Sequence, residues 1–135
     1  MQQLVEIRPH PASFVLFGKD KQSSKWFVLY FDSQMRKEER IAEMEKREYA
    51  SYSVIGESIF VVGGGTAQQR TSKCVEEFLM RERRWRRRAP LTVGREYHAA
   101  AVVRAGDNKT LLGVFGGNNP GHLSSCEVYD VSQDR

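Results

Sequence analysis

The chain has no apolar run approaching the 18 or so residues that span a bilayer, so the sequence offers no membrane-crossing helix. Its first fifteen residues are interrupted by Glu6, Arg8, Pro9, His10 and Pro11 and lack the apolar core of a secretory leader, so none is expected in this stretch. Two cysteines, Cys74 and Cys126, are too few for a disulfide framework, and a reducing compartment, cytosol or nucleus, is expected. Three histidines, His10, His98 and His122, stand far apart without metal-ligand spacing. No glycine-rich loop is followed by Lys-Ser/Thr, and no Ser or Cys has a recognisable base beside it. No catalytic residue, cofactor or metal ligand is therefore assigned, and the chain is expected not to be an enzyme. A net charge of +4 is too small an excess to imply nucleic acid by itself.

The sequence does carry a repeat. SYSVIGESIFVVGGG, residues 51–65, reads as two short strands, a tight turn at Gly56-Glu57 and a glycine stop. A second copy begins near Tyr97 and closes with LLGVFGG, with a longer turn at 104–109 containing Gly106, Asp107 and Asn108. From Gly64 to Gly117 is 53 residues, and the triplets Arg47-Glu48-Tyr49 and Arg95-Glu96-Tyr97 are 48 apart. Phe31, Phe78 and Tyr129 recur at 47 and 51 residues. Past each glycine stop comes a polar loop and then a strand, CVEEFL at 74–79 and CEVYD at 126–130. Upstream, VLFG at 15–18 leads to WFVLYFD at 26–32. Four strand-like segments per unit of about 50 residues is a propeller-blade period. The cysteines fall at the same stage of successive repeats, which predicts small buried strand residues.

These features resemble the kelch-repeat β-propeller family. The resemblance rests on Gly63-Gly64, Gly116-Gly117, Tyr129-Asp130, Trp85, Pro90-Leu91, Arg47 and Arg95, and it covers almost the whole chain. Departures are Gly18-Lys19 in place of a glycine pair, Glu38 where the first repeat's tryptophan is expected, and Leu79 in place of an aspartate. The opening, RPHPASFVLFGKD, is similar to the entry of the first kelch repeat in proteins that carry BTB and BACK domains before it. The implied fold is all-β, a partial kelch-type propeller of about two and a half four-stranded blades. Its units are a degenerate blade over 1–49, a complete one over 50–97 and a truncated one over 98–135. Propellers close with about four to eight blades, so the chain is expected to be a slice of a larger ring or a piece that pairs with other copies.

Two stretches admit competing readings. Residues 34–48, QMRKEERIAEMEKRE, form the best helix by propensity: Met35, Ile41, Ala42 and Met44 make a rough stripe, and Glu43–Arg47 is a favourable i, i+4 pair. The repeat asks instead for a turn and an outer strand, and that is the reading adopted. Residues 81–88, RERRWRRR, place six arginines around one tryptophan. They read as a nucleic-acid patch, as a nuclear import signal, or as an outermost strand with Trp85 turned inward as a packing anchor, Arg84, Arg86 and Arg88 lying on one side and Trp85 and Arg87 on the other. Clustered arginine also suits an acidic protein segment.

The resemblance implies a protein-binding module whose loops on one face hold a client. The candidate contacts are Arg47, Tyr49, Thr66, Gln68, Arg70, Arg95, Tyr97, Asn118, Asn119 and His122. Arg47 and Arg95 have a scaffolding alternative, bonding to carbonyls of the neighbouring blade while the tyrosines pack in the core. The implied role is substrate recognition for a cullin-based ubiquitin ligase, with the cullin held by domains outside this stretch and the client possessing an acidic motif. The alternatives are an actin-binding scaffold and a nucleic-acid binder using residues 81–88. No membrane or nucleic-acid partner is expected, and the location is cytoplasmic or nuclear.

Overall fold

The computed structural model describes residues 2–7, 13–32, 34, 36, 38–106 and 109–135. The Pro-His-Pro entry at 9–11, Met35 of the candidate stripe and the Asp107-Asn108 turn lie outside the described residues. Eleven strands are present among those described, and no helix. The first sheet holds β1 (Gln2–Ile7), β2 (Ser13–Lys19), β3 (Trp26–Phe31) and β4 (Glu38–Met44). The second holds β5 (Ser51–Ile55), β6 (Ser58–Val62), β7 (Val75–Leu79) and β8 (Arg84–Arg88). The third holds β9 (Ala99–Ala105), β10 (Lys109–Phe115) and β11 (Cys126–Asp130). Each sheet is an antiparallel meander in chain order.

The middle sheet is covered on both faces, which is why β6, SIFVV, is an unbroken β-branched and aromatic run. Ile59 and Phe78 pack toward the first sheet with Val15, Phe17 and Val28. Phe60, Val62 and Val75 pack toward the third with Leu112, Val114 and Tyr129. Full burial of one such side chain contributes about 1.5–3 kcal/mol, so these two clusters hold the layers together. Trp85 seals the first interface. Its ring lies 4.9 Å from Phe78 and 6.1 Å from Phe17, and its indole N–H donates to the Glu43 carbonyl at 2.9 Å.

β4 shows packing overriding propensity. Its residues pair with β3 from Trp26↔Met44 to Phe31↔Glu38, and Ile41, Ala42 and Met44 pack against the core that Phe78 and Phe17 occupy. The aromatic-acid pairs close turns. Asp130 accepts from the Ser132 and Gln133 amides, and Asp32 accepts from those of Gln34 and Arg36. Leu79 has no carboxylate to offer, and there the turn is held by the Arg83 amide on the Leu79 carbonyl at 2.8 Å.

The glycine pairs exist because the crossovers between sheets pass directly over them. Gly63 and Gly64 have φ of 65° and 81°, in the left-handed region. A Cβ on Gly63 would stand 2.5 Å from the Arg95 carbonyl oxygen, and one on Gly64 2.6 Å from that of Glu48. Gly117 repeats the arrangement under Glu96, at 2.5 Å. Gly18 and Lys19, by contrast, continue β2 in register with Phe27 and Trp26.

The cysteines depart from expectation. Cys74 is half-buried just before β7, and burial raises its thiol pKa, whereas Cys126 is exposed. Cys126 shares the far face of the third sheet with Ala101, Val103, Phe115 and Val128, and that face is uncovered.

Candidate functional site

Arg47 and Arg95 are the foundations of the loop face. Arg47 is 2 % exposed and donates to the carbonyls of Gly63 (3.0 Å), Val61 (3.1 Å) and Cys74 (3.0 Å), with its remaining nitrogen 2.5 Å from the Glu76 carboxylate. Arg95 is fully buried and repeats the pattern one blade on, donating to the carbonyls of Gly116 (2.9 Å) and Ser125 (3.0 Å) and pairing with Glu127 at 3.2 Å. Burial disfavours the Glu127 anion, but the amides of Thr92 and Val93 together with Arg95 prevail and hold its pKa below the usual value. The expectation that these two arginines touch a partner is thus corrected. The Arg47 guanidinium is bonded at all three nitrogens and that of Arg95 at both terminal nitrogens, its buried Nε being without a partner among the described residues, and both side chains position what lies above.

What lies above is the rest of each triplet. Tyr49 and Tyr97 both adopt positive φ, 60° and 55°, which turns their side chains out of the crossovers. Their rings stack with centroids 4.1 Å apart, and Tyr97 is 57 % exposed. They do not pack in the core, contrary to the scaffolding alternative. The Tyr97 pKa is pushed up to about 12, chiefly by its hydrogen bond with the Tyr49 hydroxyl.

The stack separates two concavities. One, of about 390 Å³, is bounded by Lys46, Glu48, Tyr49, Thr66, Gln68 and Arg70, with Tyr97 on the shared wall. The other, of about 540 Å³, runs from Arg70 and Tyr97 to Asn118, Asn119, Pro120 and His122. Eight of the ten residues expected from sequence therefore line one continuous face, and the two arginines lie below it. Thr66 shapes its loop by accepting from the Gln68 and Gln69 amides. Asn119 ties the loops of the second and third sheets, donating to the Gly94 carbonyl at 2.6 Å and accepting from the Thr71 hydroxyl at 3.1 Å. Arg70 stands 91 % exposed, 3.6 Å from the nearly buried Glu96 carboxylate.

Glu48 and Glu96 were not anticipated as site residues, although they are the middle members of the very triplets that flagged the site. Each forms a two-stranded bridge to the next blade's glycine loop, Glu48 with Gly65 and Glu96 with Asn118. Beneath, His98 bonds through Nε2 to the Ser51 hydroxyl at 2.9 Å, and its Nδ1 has no partner among the described residues. The face offers aromatic surface, amide and hydroxyl hydrogen-bonding groups and two extended cations, Lys46 and Arg70. Among the described residues no group of three or more His, Cys, Asp or Glu stands together as a metal site would require.

Residues 46–92 match the model of the Kelch motif, a span that runs from the first crossover through the whole middle sheet to Thr92. The middle sheet accordingly carries a Kelch motif, the three antiparallel meanders are consistent with part of a kelch-type β-propeller, and kelch repeats are in general protein-binding modules. No curated protein matches the chain.

Proposed function

We propose that this module is the client-holding propeller of a BTB-BACK-kelch adaptor for a cullin-based ubiquitin ligase, acting in the cytoplasm or nucleus. The single observation that carries the recognition half is the loop face, where a stacked tyrosine pair stands between two open concavities on a base pinned by buried arginines. A rigid scaffold beneath polar loops limits the ordering cost of binding. In this reading Tyr49, Thr66, Gln68, Arg70, Tyr97, Asn118, Asn119 and His122 meet the client, and the module performs no chemistry. The ligase half rests on the similarity of residues 8–20 to the entry of such propellers.

The test is affinity purification of the full-length protein containing this sequence. Cullin and client are expected together, and Arg70→Ala with Tyr97→Ala should release the client while cullin remains. Absence of cullin, or actin filaments in its place, removes the ligase half. Retention of the client by the double variant removes the loop-face half.

A further inference from the structure

The arginine run at 81–88 has a remainder. Five of its six arginines are neutralised inside the fold: Arg81 on Glu57 at 3.1 Å, Arg83 on Glu39 at 2.8 Å, Arg84 on Glu82 at 3.2 Å, Arg86 on Glu77 at 2.6 Å, and Arg88 on Glu77 at 2.9 Å and Asp134 at 3.1 Å. Arg87 has no carboxylate within ion-pair distance among the described residues. Its cross-strand neighbour is Glu76, whose carboxylate is held by Arg47. Arg87 is exposed and points to the Trp85 side of β8, away from Arg86 and Arg88.

Together with Arg88, which is already engaged by Glu77 and Asp134, it lines a groove of about 510 Å³ at the end of β8. Lys73, exposed and likewise without an ion-pair partner among the described residues, lines the same groove. Gln68 and Gln69 line it too and carry exposed side-chain amides, whereas the Thr66 hydroxyl is held by its own loop and Ser72 is buried with its hydroxyl on the Cys74 amide. We propose that this groove binds an extended acidic peptide segment, with Arg87 and Lys73 taking its carboxylates and the Gln68 and Gln69 side chains its backbone.

The composition favours a peptide over nucleic acid. No aromatic residue lines the groove, so there is no platform for stacked bases. Two free cations match two carboxylates, whereas a nucleic-acid strand needs a track of several. Arginine offers a carboxylate a two-pronged contact that adds direction to charge. Glu45 stands on the same lining and repels carboxylates locally, so the acidic residues seat toward Arg87 and Lys73. The groove borders the loop face through Thr66, Gln68 and Gln69, but the inference does not depend on that face binding anything.

The experiment measures fluorescence anisotropy of a labelled oligoglutamate peptide titrated with the full chain, folding of each variant being checked by circular dichroism. Arg87→Ala with Lys73→Ala is expected to weaken binding about tenfold or more, and Glu45→Gln to tighten it about twofold. Arg84→Ala, within the same run but engaged by Glu82, should change it less than about twofold. Affinity should fall between about 50 and about 200 mM salt. The proposal is overturned if the peptide does not bind, if Arg84→Ala weakens it as much as Arg87→Ala, or if a single-stranded oligonucleotide binds more tightly and survives the Arg87 and Lys73 substitutions.

Discussion

Replacing Arg47 with alanine removes donors from three carbonyls and the counter-charge from Glu76 in one step. Breaking a buried ion pair by deleting one partner costs about 3–5 kcal/mol, because the surviving charge stays in a poor environment. Two features place Arg47→Ala at the low end of that range. The Glu76 side chain retains 17 % exposure, and Arg87 lies directly across the strand from it, free to swing onto the carboxylate. The expected loss is about 3 kcal/mol, read by urea denaturation, and at about 3 °C per kcal/mol for a chain of this size a fall in Tm of about 10 °C. Arg47→Lys should recover less than half, since one ammonium cannot reach four acceptors spread over β6, β7 and the glycine stop. Arg47→Ala combined with Arg87→Ala should cost more than the sum of the two, because the substitute partner is then gone. A loss under about 1 kcal/mol, or a lysine variant as stable as the parent, would refute the assignment of Arg47 as an inter-strand staple.

Three further outcomes follow from the same geometry. Gly64→Ala combines a φ of 81° with a Cβ 2.6 Å from the Glu48 carbonyl oxygen, so it should cost more than about 2 kcal/mol by chemical denaturation, and a neutral result would contradict the crossover packing. Trp85→Ala should cost about 3 kcal/mol through lost packing on Phe78 and Phe17 and the lost bond to Glu43, with exchange at β4 amides accelerated. His98 is held at about 4, first by burial and then by the Arg95 charge, below its ordinary 6.5. The unfolded chain therefore takes up this proton first, so the His98 contribution is complete above about pH 6.5 and is lost as pH falls toward 4, a slope that His98→Asn should flatten in denaturation series across that window.

The strands of the middle sheet were legible because both of its faces are covered, which leaves in β6 a continuous β-branched and aromatic run bounded by a turn and a glycine stop. The glycine stops were legible as bends, but their deeper cause, a crossover carbonyl seated where a Cβ would be, is a contact across 16 residues at Gly64 and 32 at Gly63. Residues 34–48 show the limit of local propensity. Nothing within that stretch reveals that β3 is waiting to pair with it, and only the repeat indicated a strand. Trp85 turning inward followed from period-two alternation, yet the carboxylates that quench its neighbours come from Glu39, Glu57 and Asp134, far away in the chain.

The candidate site was legible in its loops and misread in its crossovers. Recurrence marked both triplets, but it could not say that the arginine faces down and the tyrosine out. That division is made by the positive φ at Tyr49 and Tyr97 together with the ring of carbonyls beneath. The pairing of Arg70 with Glu96 was hidden for the same reason, because the two meet only when the third blade's crossover passes over the second blade's loop.

The most direct test of the account is hydrogen exchange of the full-length protein with and without its purified client. The account predicts protection confined to residues 46–49, 65–70, 96–97 and 118–122, with the amides of β4 and β8 unchanged. Protection of the outer strands with the loop face left free would contradict it.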